Sequence, residues 1–138
     1  MTRVLVAILT AVLSYTVKAD TIPIISISVP VTEMSETEAF KLYTGEYKKW
    51  PNGTRVTIFI QDPDSISVKA FSIKLGITPS RFSSRINTNL SDGAVINIVD
   101  TPSQVILGVL STPNSAGLYS GFYIVRNMTS ITELVLTK

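Results

Sequence analysis

The sequence contains no cysteine and no histidine among its 138 residues. The absence of cysteine excludes disulfide bonds, thiol nucleophiles and zinc sites built on thiolates. The absence of histidine excludes Ser-His-Asp triads and imidazole acid/base chemistry. Catalysis would have to rest on carboxylates, serines, lysines and tyrosines. No motif in the sequence supports a catalytic role for any of these side chains. We therefore expect a protein that is not an enzyme and that has no catalytic residues, no metal site and no cofactor.

Residues 1–19 have the composition of a secretory signal peptide. A positively charged start precedes the almost wholly apolar residues 4–13, and Val17 and Ala19 place small side chains before a cleavage point at Asp20. The apolar run is shorter than the roughly 20 residues that a membrane-spanning helix needs. The alternative is an uncleaved membrane anchor. The signal-peptide interpretation predicts export, and the lack of cysteine favours a bacterial periplasm over disulfide-rich secretion.

The mature chain that this predicts, residues 20–138, carries no net charge. The full sequence has 12 Lys and Arg against 10 Asp and Glu, and Arg3 and Lys18 belong to the predicted signal peptide. The densest basic stretch that remains is the pair Lys48 and Lys49, a poor footprint for nucleic acid. We expect no nucleic-acid partner. The length suits a single domain with one core.

Short patterned segments separated by single prolines and glycines predict one α/β domain. Residues 22–29 alternate apolar residues with serine, which is typical of a strand. Further strands are predicted at 54–60, 94–99, 117–125 and 131–136, and helices at 36–43, 66–75, 79–86 and 102–111. The order strand, helix, strand at the start favours parallel pairing of the first two strands through a right-handed crossover.

Two of the predicted helices begin with a capping box. Ser35 and Glu38 have the S-x-x-E spacing, in which each side chain bonds the backbone amide of the other residue. Gly45 follows that helix, where a left-handed residue commonly ends the helix. Thr101 and Gln104 repeat the box, with a proline at the first helical position.

Three stretches in this order carry a family resemblance. The first is SETEAFKLYTGEYKKWPNG, in which Gly45, Trp50 and Gly53 match a family motif, and the second is TIFIQDPDSISVKAF. The third, TPSQVILGVLSTPNSAGLYS, ends in matching residues that include Gly117 and Tyr119. Together they resemble the phosphate-transporter substrate-binding protein family. The resemblance implies a three-layer α/β fold of the periplasmic-binding-protein type (type II), a single lobe with a mostly parallel mixed sheet flanked by helices.

The resemblance also implies an anion-binding loop at the start of the second predicted helix. Gln61 stands where the family has arginine, and Ser65 is kept. Ile66 and Ser67 replace the family's glycine and threonine, and Asp64 precedes the serine. Amides and hydroxyls at a helix N-terminus suit an anion, so these five residues are the candidate ligand set. The alternative is that Asp64, Ser65 and Ser67 only cap the helix.

Two departures from the family indicate weak binding. Loss of the arginine removes a bidentate partner, and the aspartates of the loop repel an anion. In addition, the resemblance implies that the family's transport receptors have two lobes that close on the ligand. This chain has enough residues for about one such lobe. A second copy, forming a homo-oligomer, or a different protein would have to cover the site for tight binding.

We therefore expect a periplasmic domain that binds phosphate or a related oxyanion weakly, in a transport or sensing role. Its partner would be an ABC permease or a membrane sensor. The alternative is a periplasmic protein–protein adaptor that keeps the fold without binding a ligand, because a shared fold does not by itself transfer function. Trp50 is expected to anchor the core rather than to form a ligand platform.

Overall fold

The computed structural model describes residues 20–121, 125 and 128–138. Strands and helices alternate through most of this part of the chain. The strands are β1 (Ile22–Ser26), β2 (Glu33–Ser35), β3 (Thr57–Gln61), β4 (Val95–Val99), β5 (Ser115–Tyr119), β6 (Ile131–Glu133) and β7 (Val135–Thr137). The helices are α1 (Glu36–Tyr43), α2 (Ile66–Lys74), α3 (Pro79–Ser91) and α4 (Pro102–Ser111).

The main sheet is mixed and has the strand order β4-β3-β5-β1-β6. β3 pairs in parallel with β4 and with β5, whereas β1 pairs antiparallel with β5 and with β6. Four of its strands therefore run in one direction and β1 runs against them. β2 and β7 form a separate parallel pair. The expected mostly parallel mixed sheet is confirmed.

Helices cover both faces of the sheet and give three layers. On one face α4 packs on β5, β3 and β1, and Ile24 lies in that apolar cluster. The next residue, Ile25, lies in the cluster on the opposite face, as alternate strand residues do. That second cluster contains aromatic rings from α1, α2 and α3, namely Phe40, Tyr43, Phe71 and Phe82.

The two predicted capping boxes are confirmed. The Ser35 Oγ accepts from the Glu38 amide at 3.1 Å, and the Glu38 Oε1 accepts from the Ser35 amide at 3.2 Å. The Thr101 Oγ1 accepts from the Gln104 amide at 3.2 Å, and the Gln104 Oε1 accepts from the Thr101 amide at 3.1 Å. These bonds satisfy amides that a helix N-terminus leaves without a partner. Gly45, just beyond α1, has the expected left-handed conformation with φ of 87°.

The parallel pairing predicted for the first strand is wrong. β5 separates β1 from β3, and β1 runs antiparallel to its neighbours. The crossover rule fixes the handedness of a connection between parallel strands, but it does not choose the partners. Here the connection also contains β2 and the irregular residues 44–56, a length that lets the chain return at a position that is not adjacent.

Strands near the C-terminus differ from their predicted bounds. The strand predicted at 117–125 is observed as β5, and residues 122–124 lie outside the described residues. The strand predicted at 131–136 is divided at Leu134 into β6, which extends the main sheet, and β7, which pairs with β2. β2 is not predicted from the sequence, because its three residues are too few to show an alternating pattern.

The segment predicted to be a signal peptide, residues 1–19, also lies outside the described residues. Within the described part of the chain, every helix is too short or too polar to cross a bilayer. The helix predicted to start near Pro79 is confirmed, and it continues to Ser91.

Candidate functional site

The candidate anion loop joins β3 to α2 at the carboxyl edge of the main sheet. β3 ends at Gln61, which pairs with Val99 at the end of the parallel strand β4. In open α/β sheets, ligands bind in the crevice outside the carboxyl ends of the strands. The structure brings all the candidate residues to this edge: Gln61, Asp64, Ser65, Ile66 and Ser67.

A chain of side-chain hydrogen bonds crosses the loop. The Ser65 Oγ lies 3.1 Å from the Ser67 Oγ, and the Ser67 hydroxyl donates to Gln61 Oε1 at 3.0 Å. The Gln61 Nε2 in turn donates to the carbonyl oxygen of Asp100 at 3.1 Å. These bonds connect the first turn of α2, the end of β3 and the loop after β4, so they fix the positions of three candidate side chains.

Ser65, rather than Asp64, is the N-cap of α2. The Ser65 Oγ accepts from the Val68 amide at 3.3 Å. Two other loop amides bond to the preceding aspartate, since Asp64 donates to the Asp62 Oδ1 at 2.8 Å and Ser65 donates to the Asp62 carbonyl at 2.8 Å. The capping interpretation is therefore correct for Ser65. Capping does not supply an acceptor for the next two backbone amides, those of Ile66 and Ser67.

The amides of Ile66 and Ser67 have no acceptor among the described residues. The first amides of a helix lack an intrahelical partner and lie at the positive end of the helix dipole. The Ser67 side chain is buried, whereas the Ile66 side chain is 87% exposed. The loop thus offers two backbone donors, and the Ser65 hydroxyl lies beside them.

The charged side chains of the β3–α2 loop and of the residue after β4 are acidic, whereas the exposed Lys69 follows them one turn into α2. Asp62, Asp64 and Asp100 are all exposed. The salt bridge found within the described residues joins Arg85 to Glu46 at 3.4 Å and involves none of these carboxylates. An anion bound at the start of α2 would be repelled by those of them that lie within the screening length, about 8 Å at physiological ionic strength.

Thr21 is a contact of this loop that sequence reasoning missed. Its hydroxyl donates to the Ser67 carbonyl at 2.6 Å, and the side chain is only 2% exposed. The bond attaches the chain just before β1 to the first turn of α2. No local pattern connects two residues that lie 46 positions apart in the sequence.

The described residues hold no group of three or more acidic side chains that could bind a metal ion. Burial raises the pKa of Tyr43 well above its ordinary value. The Tyr43 hydroxyl donates to the Ile24 carbonyl at 3.0 Å inside the core. This tyrosine is a structural group.

Trp50 anchors the core, as predicted. The side chain is 4% exposed, and its Nε1 donates to the Asn114 carbonyl at 2.8 Å. The bond ties the irregular segment after α1 to the turn before β5.

No protein-family model and no curated protein matches this sequence. Solved structures do match it. A phosphate ABC transporter substrate-binding protein from Clostridium perfringens, determined with bound phosphate, is 16% identical with a TM-score of 0.65, over 85% of this chain and 44% of that chain. PstS from Borrelia burgdorferi is 20% identical with a TM-score of 0.62, and the match covers 85% of this chain and 47% of that chain. An ABC-type phosphate transport receptor from Vibrio cholerae is 14% identical with a TM-score of 0.58, and the match covers 85% of this chain and 46% of that chain.

At these identities the likeness is one of fold. The chain spans a little under half the length of each of these three structures. The resemblance first noted in three sequence stretches is thereby confirmed at the level of architecture. The chain has the fold of the phosphate ABC transporter substrate-binding proteins, over slightly less than half of their length.

Proposed function

We propose that this chain is an exported, non-enzymatic module of the substrate-binding-protein type that binds phosphate or a related oxyanion weakly. Residues 1–19 would be removed as a signal peptide, leaving 20–138 as one domain in the periplasm. The observation that carries the proposal is the pair of amides of Ile66 and Ser67 without acceptors at the carboxyl edge of the sheet. The fold supports it, because one protein with this fold was determined with bound phosphate.

Binding would use the donors at the start of α2. The two amides would donate to the oxygens of the anion, and the helix dipole would favour its charge. The Ser65 hydroxyl would join them by giving up its bond to the Ser67 Oγ, because the Ser67 proton is already donated to Gln61. Gln61 would position Ser67 through their hydrogen bond. The donors at the start of α2 would thus contact one side of the ligand and leave its other side open to solvent.

The same geometry limits the affinity. Each charge-assisted hydrogen bond contributes roughly 1.5–3 kcal/mol net, and desolvating an oxyanion offsets much of this gain. With the nearby aspartates added, we expect a Kd near millimolar, or about 4 kcal/mol of binding free energy. A second copy of the chain or a different protein would cover the ligand for tighter binding. An ABC permease would fit a transport role, and a membrane sensor would fit a signalling role.

An amide NMR titration of residues 20–138 with inorganic phosphate tests this proposal. The resonances of Ile66 and Ser67 should move saturably, whereas the Ser80 amide in the first turn of α3 should stay unchanged. Both helices are N-capped by a hydroxyl side chain, so Ser80 controls for general effects of salt on helix starts. Unchanged Ile66 and Ser67 amides at tens of millimolar phosphate would leave the loop with a capping role alone.

A second candidate function, a protein–protein adaptor, is favoured by one specific observation. Ile66 is 87% exposed and Ile73 is 65% exposed on α2, and the exposed Ala70 lies between them at helical spacing. Exposed apolar side chains that share a helix face mark contact surfaces for proteins. A photo-crosslinker placed at Ile73 tests this: capture of one defined partner, with no phosphate-dependent amide shifts, would favour the adaptor.

A further inference from the structure

A cleft beside the start of α1 shares no residue with the anion loop. Its volume is about 300 Å³, and it is open to solvent along one side. We call it the α1 cleft. The cleft is lined by the apolar and aromatic side chains of Met34, Tyr47 and Trp50. The carboxylates of Glu33 and Glu38 also line it. The volume is at the lower end of the range for ligand pockets, roughly 300–1,000 Å³, and suits one long side chain rather than a large cofactor.

The walls of the α1 cleft present aromatic surface. Trp50 lines the cleft but is only 4% exposed, and the one polar atom of its side chain is bonded to the Asn114 carbonyl, so its ring forms apolar backing for the cleft wall. Tyr47 is half-buried on the same lining. Aromatic faces attract cations, and the planar guanidinium group stacks on them.

Carboxylates give the α1 cleft a charge that complements a cation. Glu33 and Glu38 are exposed, and neither takes part in a salt bridge within the described residues. The Glu38 Oε1 accepts from the Ser35 amide, whereas no partner of its Oε2 is found in the described part of the chain. Lys49 also lines the cleft, which leaves one negative charge in excess.

We propose that the α1 cleft binds an arginine side chain of a partner protein. The guanidinium would donate to the carboxylates of Glu33 and Glu38, and the aliphatic stem would pack on Met34 and the two rings. Arginine fits better than lysine, because its planar fork can bond carboxylates and stack on a ring at once. The open side of the cleft lets the stem leave toward its own backbone.

Peptide titrations of residues 20–138 test this proposal. Trp50 is the only tryptophan, so its fluorescence reports directly on the cleft. The peptide acetyl-Gly-Arg-Gly-amide should change the emission saturably. Its citrulline counterpart, which is neutral and nearly the same shape, should bind at least tenfold more weakly.

Variants separate recognition by charge from packing. The double change Glu33→Gln and Glu38→Gln should weaken binding of the arginine peptide at least fivefold, and α1 should stay folded because glutamine also completes a capping box. Lys49→Met should strengthen binding. Glu36→Gln changes the same helix turn outside the cleft and should have no effect. Thermal unfolding checks that each variant is folded.

Two results would overturn the proposal. Equal binding of the arginine and citrulline peptides would remove the charge argument. Unchanged affinity in the Glu33 and Glu38 double variant would place binding elsewhere. Neither of these results bears on the phosphate titration of the α2 loop, because the two sites share no residues.

Discussion

The Ser67 hydroxyl donates a hydrogen bond to Gln61 Oε1 at 3.0 Å and so links the first turn of α2 to the last residue of β3. An arginine at position 61, as in the family that the sequence resembles, could only donate. It could not accept the Ser67 proton, and its guanidinium would face the loop as a bidentate cation. The glutamine therefore uses its acceptor inside the protein, and the loop loses the cation that an oxyanion would pair with.

Replacing Ser65 with aspartate should separate capping from anion binding. Aspartate caps helices about as well as serine, so Ser65→Asp should change the free energy of unfolding by less than about 0.5 kcal/mol. Its carboxylate would place a negative charge beside the Ile66 and Ser67 amides and repel an anion there, so phosphate should no longer shift the Ile66 resonance. Thr78→Asp makes the matching change at the N-cap of α3 and should leave the titration intact. Full phosphate shifts in Ser65→Asp would refute binding at this helix start.

Removal of the buried Tyr43 hydroxyl should cost stability in a pH-dependent way. Tyr43→Phe loses the bond to the Ile24 carbonyl, which contributes about 1 kcal/mol. Because burial raises the pKa of Tyr43 above its ordinary value of 10.0, the folded state retains a proton that the unfolded chain releases. The stabilisation is complete below pH 10 and is lost as the pH rises further. Urea unfolding of both proteins from pH 7 to 11 measures this; a constant difference across that range would contradict it.

A methyl group added at Gly117 should disrupt packing between β5 and α4. The new Cβ would lie 2.9 Å from the Phe59 carbonyl oxygen and 2.8 Å from the Val105 Cγ1. Overpacking of this kind typically costs 1–3 kcal/mol, so we expect at least about 2 kcal/mol for Gly117→Ala. Gly93→Ala is the control, since its methyl meets open space and its φ of 92° costs only about 1–2 kcal/mol. A loss below about 1 kcal/mol for Gly117→Ala in urea unfolding would show that packing at Gly117 is loose.

Local signals made the helix starts predictable. The bonds of the Ser35 and Glu38 box join residues three positions apart, so their geometry follows from the helix itself. Strand pairing depends instead on distant segments. β1 pairs with β5, whose sequence SAGLY is wholly buried and shows no alternation, so nothing in the local pattern assigns its partner or its register.

Only part of the candidate site could be predicted from the sequence. Ser65 as an N-cap and its place beside Ser67 follow from the start of the α2 helix. The bonds from Thr21 to Ser67 and from Gln61 to Asp100 join segments that only the folded sheet brings together. The α1 cleft was missed for the same reason, because it combines residues of β2, α1 and the segment that follows α1.

We expect the start of α2 to bind an oxyanion weakly because position 61 carries no arginine. The most direct test is to measure the Kd of inorganic phosphate for the monomeric protein and for Gln61→Arg by calorimetric titration. The control Thr88→Arg adds the same charge at an exposed position of α3. We predict a Kd near millimolar for the wild type and for Thr88→Arg. Binding to Gln61→Arg should be at least tenfold tighter, which is about 1.4 kcal/mol. A micromolar Kd for the wild-type monomer, or no gain in Gln61→Arg over Thr88→Arg, would contradict the claim.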